Sequence, residues 1–293
     1  MNNIQQSFLL GLIGAGIQAS RTPAMHEREG AEQGLRYLYK LIDLEKLNLG
    51  TKALPELLTA AERMGFAGLN ITYPCKQSVI PLLTDLSDDV RALGAVNTVV
   101  LRDGQRIGHN TDWWGFAESF RRGLPDVERD RVVQLGAGGA GVAVAHAALT
   151  LGVKQLTVFD LDASRSQRLA ADLAVRFGKG RAIAGADLGD AMAETDGLIH
   201  ATPTGMVKHS GLPLPANFLR PQLWVAEIVY LPLETELLRT ARGIGCRTLD
   251  GGGMAVFQAA EAFRLFTGIT PDTERMLRHF ASMRARWNTV QNC

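Results

Sequence analysis

Residues 131–141 read Arg-Val-Val-Gln-Leu-Gly-Ala-Gly-Gly-Ala-Gly, an apolar run that leads directly into a cluster of glycines. Gly136, Gly138 and Gly141 have the G-x-G-x-x-G spacing, and a helical pattern at residues 140–151 follows them. Between a strand and a helix this spacing is typical of a dinucleotide-binding loop, in which the helix N-terminus receives the pyrophosphate. We expect the loop to consist of six consecutive residues: Gly136, Ala137, Gly138, Gly139, Ala140 and Gly141.

The next apolar run ends at Asp160, 24 residues after Gly136. An acidic side chain at this place can accept hydrogen bonds from the adenosine ribose, and it repels the 2′-phosphate that distinguishes NADP from NAD. Asp162 adds a second negative charge, and Arg165 supplies a cation nearby. We therefore predict NAD as the cofactor. Two alternatives are a glycine-rich turn without a ligand and an S-adenosylmethionine site, since methyltransferases also pair a glycine loop with an acidic strand end.

Apolar runs alternate with helical patterns on both sides of this loop, which predicts an α/β fold with a parallel sheet covered by helices. After a polar connector at residues 124–131, six runs follow: Val132–Leu135, Leu156–Phe159, Arg181–Ala184, Gly197–His200, Leu223–Ile228 and Cys246–Leu249. Before the connector, residues 99–108 predict a β-hairpin around Asp103-Gly104. Ser164 and Gln167 predict a capping box, and residues 77–83 predict a short helix.

Length, charge and cysteine content exclude several classes of protein. The 293 residues suggest two domains. The formal net charge of +1 gives no basis for binding nucleic acid or an anionic membrane. Three cysteines exclude a disulfide scaffold and favour the reducing cytoplasm. Neither cysteine nor histidine spacing matches a metal motif, so we predict no metal.

Two apolar stretches could be mistaken for membrane segments. The run from Phe8 to Ile17 lacks the basic start of a signal peptide. The run from Val132 to Val153 is long enough to span a bilayer, but glycines split it into a strand, a turn and a helix. We therefore expect no membrane association and a cytoplasmic location.

Polar residues stand beside several predicted strands. Lys76 follows a short strand, Asp112 follows the hairpin, and Asn97 lies in Gly-Ala-Val-Asn. A dinucleotide enzyme must move a proton as well as a hydride, and lysine and carboxylate side chains can do so. Each residue also has a structural interpretation: a solvated helix start for Lys76, an N-cap for Asp112, and a turn for Asn97. Likewise, Ser20 and Thr22 can present two hydroxyls to a ligand or simply cap a helix.

Taken together, these segments resemble the shikimate/quinate dehydrogenase family, in order and along nearly the whole chain. The motifs that carry the resemblance are Gly-Leu-Ile-Gly-x-Gly-Ile-x-x-Ser20-Arg-Thr22-Pro, Asn70-Ile-Thr72-x-Pro-x-Lys76, Gly-Ala-Val-Asn97-Thr98, Gly-x-Asn110-Thr-Asp112, Gly136-Ala-Gly138-Gly-Ala, Ala201-Thr-Pro-x-Gly-Met206, Val229-Tyr230-x-Pro-x-x-Thr235 and Gln258.

The resemblance implies an α/β fold of two domains with a cleft between them. A Rossmann-type, doubly wound parallel-sheet domain, residues 112–252, is expected to be inserted in a smaller α/β substrate domain, residues 1–111 and 253–293. The implied activity is the NAD-dependent interconversion of shikimate, or a close analogue, and its 3-dehydro ketone, as in the shikimate pathway of aromatic amino acid biosynthesis. Its partner is a polyol carboxylate, and the enzyme is expected to be a monomer or homodimer.

The resemblance also assigns roles to individual residues. Lys76 and Asp112 resemble the catalytic acid/base pair. Ser20 and Thr22, helped by Tyr230, are expected to hold the substrate carboxylate. The residues expected to bind the ring hydroxyls are Asn70, Thr72, Asn97, Asp112 and Gln258. The residues expected to line the nicotinamide side of the cofactor site are Thr202, Gly205, Met206 and Ile228. With the glycine loop, Asp160 and Arg165, they complete the expected cofactor site.

Some positions depart from the family pattern and leave the substrate open. Ser20-x-Thr22 replaces Ser-x-Ser and resembles quinate-type members, so quinate and an amino-substituted shikimate stay alternatives. Cys75 replaces an aromatic residue, either as a small core residue or as a reactive thiol, and His200 replaces an asparagine. Residues 251–253 are three glycines, expected to loosen a hinge. A catalytically silent NAD- or metabolite-binding regulator is the alternative from another class.

Overall fold

A computed structural model describes the backbone of residues 5–290 and the side chains of residues 5–283. The chain divides into two compact units. The first unit takes in the described parts of Met1–Thr111 and Val256–Cys293, and the second unit is Asp112–Ala255. The two units take up nearly equal lengths of chain.

Strands and helices alternate along the chain, as the sequence pattern predicted. The strands are β1 (Ser7–Gly14), β2 (Arg36–Asp43), β3 (Gly68–Ile71), β4 (Asp85–Leu86), β5 (Thr98–Arg102), β6 (Gln105–His109), β7 (Arg131–Leu135), β8 (Gln155–Phe159), β9 (Ala182–Ala184), β10 (Gly197–His200), β11 (Trp224–Glu227) and β12 (Arg247–Leu249). The helices are α1 (Thr22–Glu32), α2 (Leu54–Arg63), α3 (Asp88–Leu93), α4 (Asp112–Gly123), α5 (Gly139–Thr150), α6 (Ala163–Phe177), α7 (Leu188–Ala193), α8 (Glu236–Ile244), α9 (Gly251–Thr267) and α10 (Thr273–Val290).

The first unit contains a mixed six-stranded sheet in the order β2-β1-β3-β5-β6-β4. β1 is parallel to β2 and β3, whereas β5 is antiparallel to β3 and β6. The carboxyl ends of β1, β3 and β6 therefore meet the beginning of β5 at one edge of the sheet.

Alternate residues of the first sheet are buried on opposite faces. On one face, Leu58 of α2 packs in a cluster with Leu69 of β3. On the other, Phe263 of α9 packs in a cluster with Leu10 and Tyr37. A sheet buried on both faces holds its strand ends rigidly, which suits it to present side chains at its edge.

The second unit contains an entirely parallel six-stranded sheet in the order β12-β11-β10-β7-β8-β9. Apolar clusters cover both of its faces, with Val144 of α5 on one face and Leu237 of α8 on the other. The strand order reverses between β7 and β10. In open α/β sheets, ligands bind outside the carboxyl ends of the strands at such a switch point.

Three local predictions were wrong. The helix predicted at residues 77–83 is only a 3₁₀ turn, Ile80–Leu82, in which Pro81 cannot donate a backbone hydrogen bond. The N-cap of α6 is Asp162, whose side chain accepts from the Ser164 N–H, so Ser164 does not begin a capping box. The three glycines from Gly251 form the first turn of α9 and no loose hinge.

Gly251 has a packing role instead of a hinge role. A Cβ atom at this position would lie 2.5 Å from the carbonyl oxygen of Ile228, too close for any other residue. The glycine therefore lets α9 begin directly against the segment that follows β11.

Among the residues whose side chains are described, no three or more histidine, cysteine, aspartate or glutamate side chains are grouped closely enough to hold a metal ion. The described helices also include none that is long and apolar enough to cross a membrane.

Candidate active site

The polar residues predicted to bind a substrate in the first unit gather at one edge of its sheet. Ser20 and Thr22 follow β1, Thr72 and Lys76 follow β3, and Asn97 immediately precedes β5. Because these strand ends meet at the same edge, residues that are distant in sequence come to one region.

The loop after β1 is held by a carboxylate that the sequence analysis missed. Asp43, at the end of β2, accepts hydrogen bonds from the backbone N–H groups of Gly16 and Ile17, at 2.9 and 3.1 Å. The side-chain amide of Gln18 donates a third, at 2.9 Å. The hydrogen bond from Gln18, and after it that from Gly16, hold the pKa of Asp43 below its usual value. The position of Asp43, an acidic residue at the end of a predicted strand, is the sequence signal that could have identified it.

The two hydroxyls at the end of that loop contact each other. Ser20 Oγ donates to Thr22 Oγ1 at 3.2 Å and accepts from the Thr22 N–H at 3.3 Å. The N-cap position of α1 is Arg21. Ser20 Oγ therefore bonds the first N–H group of α1, as the helix-cap interpretation expects, and the role of the pair toward a ligand stays a prediction.

A continuous hydrogen-bonded chain of uncharged side chains begins at Tyr39 of β2. The Tyr39 hydroxyl donates to Asn70 Oδ1 at 2.6 Å, and burial raises the pKa of Tyr39 well above its usual value, so the hydroxyl keeps its hydrogen. Asn70 Nδ2 donates to Thr98 Oγ1 at 3.0 Å and to the carbonyl oxygen of Asn97 at 3.2 Å. Both amide hydrogens of Asn70 are thereby engaged, which leaves its carbonyl oxygen as the atom able to accept from a ligand hydroxyl.

The chain continues to the end of β6. Thr98 Oγ1 donates to Asn97 Oδ1 at 3.0 Å, and Asn97 Oδ1 also accepts from the backbone N–H of Thr111 at 2.7 Å. In return, Asn97 Nδ2 donates to Thr111 Oγ1 at 2.9 Å. Thr111 directly precedes Asp112. We call the buried set Tyr39, Asn70, Thr98, Asn97 and Thr111 the amide network.

Lys76 lies on the loop after β3 and is half-buried. Its carbonyl oxygen accepts from the Val96 N–H at 2.9 Å, which joins this loop to the segment that carries Asn97. The neighbouring Cys75 is fully buried, and burial raises the pKa of its thiol to about 11. Cys75 is therefore a core residue, and the reactive-thiol alternative is wrong.

The remaining substrate residues lie in different units. Gln258 lies on α9 within the first unit. Asp112, the first residue of α4, and Tyr230, after β11, belong to the second unit. Their roles beside Lys76 stay predictions from the family resemblance.

In the second unit, the glycine loop has the shape that a dinucleotide requires. Gly136 has a φ of +102°, and a Cβ atom there would lie 2.4 Å from the Ala201 carbonyl oxygen. A Cβ at Gly141 would lie 2.3 Å from the Gly136 carbonyl oxygen. Gly138, the N-cap of α5, and Gly139 instead face open space. A phosphate group can therefore approach the N-terminus of α5, and the residues fit NAD or NADP.

A buried amide keeps the loop closed. Gln134, in the middle of β7, donates through Nε2 to the carbonyl oxygens of Gly136 and Gly141, both at 2.8 Å. Gln134 was not among the predicted site residues. A glutamine within an apolar strand is the signal that could have identified it.

Two carboxylates follow β8 at the place predicted for the ribose. Asp160 accepts from the Ala137 N–H at 2.7 Å and from the Asp162 N–H at 2.9 Å. Hydrogen bonds from Ser164 lower the pKa of Asp162, which also forms an ion pair with Arg165 at 3.5 Å. The predicted ribose site is thus anionic, and its predicted cation is paired with one of its own carboxylates.

On the predicted nicotinamide side, the ends of β10 and β11 are joined by buried side chains. His200 Nδ1 lies 2.9 Å from Glu227 Oε1, and His200 Nε2 lies 2.5 Å from Thr202 Oγ1. Glu227 also accepts from the Val229 N–H at 2.9 Å and from Thr235 Oγ1 at 3.0 Å.

The other residues predicted for this side lie on the same two segments. Gly205 has a φ of +95°, Met206 is exposed, and the Ile228 N–H donates to the His200 carbonyl oxygen at 3.2 Å. The structure therefore brings Thr202, Gly205 and Ile228 together around the His200–Glu227 pair.

The chain is similar to known proteins along nearly its whole length. The shikimate dehydrogenase substrate binding domain matches residues 12–99, and the shikimate 5'-dehydrogenase C-terminal domain matches residues 251–279. A Streptomyces avermitilis protein named shikimate dehydrogenase (NADP(+)) is 60% identical, over 95% of this chain and 97% of its own length. The Corynebacterium efficiens quinate/shikimate dehydrogenase (NAD(+)) is 51% identical, over 94% and 99%. The structure of quinate dehydrogenase from Corynebacterium glutamicum in complex with NAD has a TM-score of 0.90 and 49% identity, covering 95% of this chain and 100% of that one.

Proposed function

The chain belongs to the shikimate dehydrogenase family, and from that premise we propose that it interconverts shikimate and its 3-dehydro ketone with NAD as the hydride acceptor. It is an oxidoreductase that acts on a CH–OH group. The observation that carries the choice of substrate class is the amide network of the first unit. The amides and hydroxyls of this network hold one another in fixed orientations, so they present fixed hydrogen-bonding groups to the hydroxyls of a polyol.

In this proposal the first unit supplies most of the substrate contacts. The hydroxyls of Ser20 and Thr22, assisted by Tyr230, bind the carboxylate. The ring hydroxyls are bound by Asn70, Thr72, Asn97 and Gln258. The carbonyl oxygen of Asn70 supports this assignment, since it accepts one hydrogen bond from Tyr39 and has a second lone pair for a substrate hydroxyl.

Oxidation of the alcohol removes one hydride and one proton. NAD, when bound, supplies the hydride acceptor. Lys76 Nζ takes up the proton of the reacting hydroxyl and returns it in the reverse reaction, and Asp112 orients both groups.

The cofactor site would consist of the glycine loop for the pyrophosphate, Asp160 for the ribose hydroxyls, and Thr202, Gly205, Met206 and Ile228 at the nicotinamide. The names of the relatives divide between NADP(+) and NAD(+). Two carboxylates at the ribose site support NAD, because a 2′-phosphate beside them is repelled. Arg165, the nearby cation, already forms an ion pair with Asp162.

Quinate is the second candidate substrate. Thr22 carries a methyl group that narrows the predicted carboxylate pocket, and relatives named for quinate are 51% and 49% identical to this chain.

A panel of initial rates tests both proposals. Shikimate, quinate and aminoshikimate are each assayed with NAD and with NADP, and the reduced cofactor is followed by its absorbance. We expect kcat/KM to be highest for shikimate with NAD. A higher kcat/KM for quinate would make quinate the proposed substrate. Comparable kcat/KM values for NAD and NADP would contradict the cofactor preference. No reduction of the cofactor in any of the six assays would overturn the proposed function.

A further inference from the structure

The second unit buries an acid–base pair that the proposed proton transfer does not use. The side chains of His200 and Glu227 are both 0% exposed. They lie at the last positions of adjacent strands, β10 and β11, and pair in register. Buried polar pairs are expensive to desolvate, so a fully satisfied one at a ligand-binding edge calls for an explanation.

Two further partners of Glu227 are hydrogen-bond donors. The Val229 N–H can only donate, and Thr235 Oγ1 is free to donate because it already accepts from the Leu238 N–H at 3.3 Å. Glu227 therefore acts as an acceptor on both oxygens. Consequently His200 Nδ1, at 2.9 and 3.0 Å from those oxygens, carries a hydrogen.

The opposite nitrogen of the ring fixes Thr202. His200 Nε2 and Thr202 Oγ1 are 2.5 Å apart, and one hydrogen joins them whichever atom carries it. Thr202 Oγ1 also accepts from the Thr204 N–H at 3.3 Å. Its rotamer is thereby set from two sides.

The same pair joins the backbone of both segments. Gly205 approaches so closely that a Cβ there would lie 3.2 Å from the Thr235 methyl group and 3.9 Å from Glu227 Oε2. The Ile228 N–H donates to the His200 carbonyl oxygen. The loops after β10 and β11 thus depend on one buried anchor.

We propose that His200 and Glu227 are positioning residues that hold Thr202 and the backbone after Glu227 in the orientation that receives the nicotinamide half of the cofactor. The proposal rests on the proposed function. Supporting side chains of this kind keep a binding group in its productive geometry before the ligand arrives. The hydrogen bonds of the pair run to Thr202, Val229 and Thr235, so we expect the nicotinamide half of the cofactor to depend on the pair more than the adenosine half does.

The variants separate the two bonds of the imidazole. His200→Asn keeps a donor toward Glu227 but is too short to reach Thr202 Oγ1. Thr202→Val removes the hydroxyl at nearly constant shape, and Thr202→Ser keeps it. His146→Asn is the matched control, because His146 is a buried histidine of α5 in the same unit that packs against Trp113 and Phe177. Glu227→Gln is avoided, since it places a donor opposite donors and endangers folding.

The readout is equilibrium binding of NADH and of ADP-ribose, which lacks the nicotinamide, by titration calorimetry. We expect His200→Asn and Thr202→Val to weaken NADH binding about tenfold, as for one lost hydrogen bond, while ADP-ribose binding changes less than twofold. Thr202→Ser, which keeps the hydroxyl, should lose less NADH affinity than Thr202→Val, and His146→Asn should retain both affinities. kcat with the preferred substrate should fall in the same order as the NADH affinity.

Unchanged NADH affinity in His200→Asn, or equal losses for NADH and ADP-ribose, overturns the positioning role. If the wild-type protein prefers NADPH, the comparison is made with NADPH and 2′-phospho-ADP-ribose, so an error in the NAD proposal does not decide the outcome. A wild-type protein that binds neither dinucleotide overturns the proposed function and the positioning role together.

Discussion

The amide network of the first unit consists of neutral side chains, whereas two loops at the candidate site of the second unit are held by carboxylates. All five members of the amide network are amides or hydroxyls. In the second unit, Asp160 holds the glycine loop through the Ala137 N–H, and Glu227 holds the loop after β11 through the Val229 N–H.

The difference follows from the ligands that we propose. Substrate hydroxyls both donate and accept, so their partners must be neutral groups whose direction is set by neighbours. A pyrophosphate and a ribose instead need displayed N–H groups and a fixed acceptor, which anchored loops provide. The predictions below test this difference between the two units.

The largest expected effect is at Lys76, the charged side chain that we place beside the neutral network. Lys76→Ala should lower kcat about a hundredfold or more by removing the proton carrier, while NADH affinity stays unchanged. Steady-state kinetics and NADH titration measure both quantities. Lys52→Ala, an exposed lysine of the same unit, is the control, and retained turnover in Lys76→Ala would remove that residue from the mechanism.

The next effect tests whether the second site depends on backbone shape. Gly141→Ala places a Cβ 2.3 Å from the Gly136 carbonyl oxygen, so the loop must shift. We expect cofactor affinity, measured by titration, to fall more than tenfold. Gly243→Ala, on α8 with open space around its Cβ position, is the control and should slightly raise the stability, by about 0.4–1 kcal/mol. An unchanged affinity in Gly141→Ala contradicts the role of the loop.

A smaller effect tests the amide network. Tyr39→Phe removes the donor to Asn70 Oδ1 and should raise the KM of the substrate several-fold, with a stability loss of about 1–3 kcal/mol. The affinity for NADH should not change. Tyr37→Phe provides the comparison, because Tyr37 bonds to His26 in the core: it should lose stability and keep its KM. Equal KM values in the two variants would show that Asn70 does not need Tyr39.

The last prediction concerns the pH dependence of folding. Burial lowers the pKa of His26, in the first unit, to about 3, whereas the unfolded chain has a value near 6.5. Below pH 6.5 the unfolded state therefore binds a proton that the folded state does not, and stability falls as the pH falls.

Between pH 7 and pH 5 this linkage costs about 2 kcal/mol. His26→Gln should lose stability at pH 7 but show a weaker decline toward pH 5 in urea unfolding. Burial also lowers the pKa of His146, in the second unit, to about 4. The stability of His26→Gln should therefore still fall to some extent toward pH 5. An identical decline in the variant and the wild type contradicts a neutral His26.

Local patterns in the sequence predicted most of the strands and helices. Alternation of apolar runs and helical patterns predicted the parallel sheet of the second unit, and the glycine spacing predicted the turn at Gly136, which has the positive φ that only glycine adopts readily. Where two local signals competed, the pattern failed. Asp162 caps α6 in place of Ser164, because the residue at which the preceding strand ends decides which side chain meets the helix N-terminus.

Residue patterns alone predicted the fold class, the dinucleotide loop and the family. Which side chains bond to one another depends on the tertiary structure. Tyr39 and Asn70 are 31 positions apart, and His200 and Glu227 are 27 apart. Each pair meets because particular strands lie side by side in a particular register, and hydrogen bonds are too short-ranged to be read from residue types before that pairing is known.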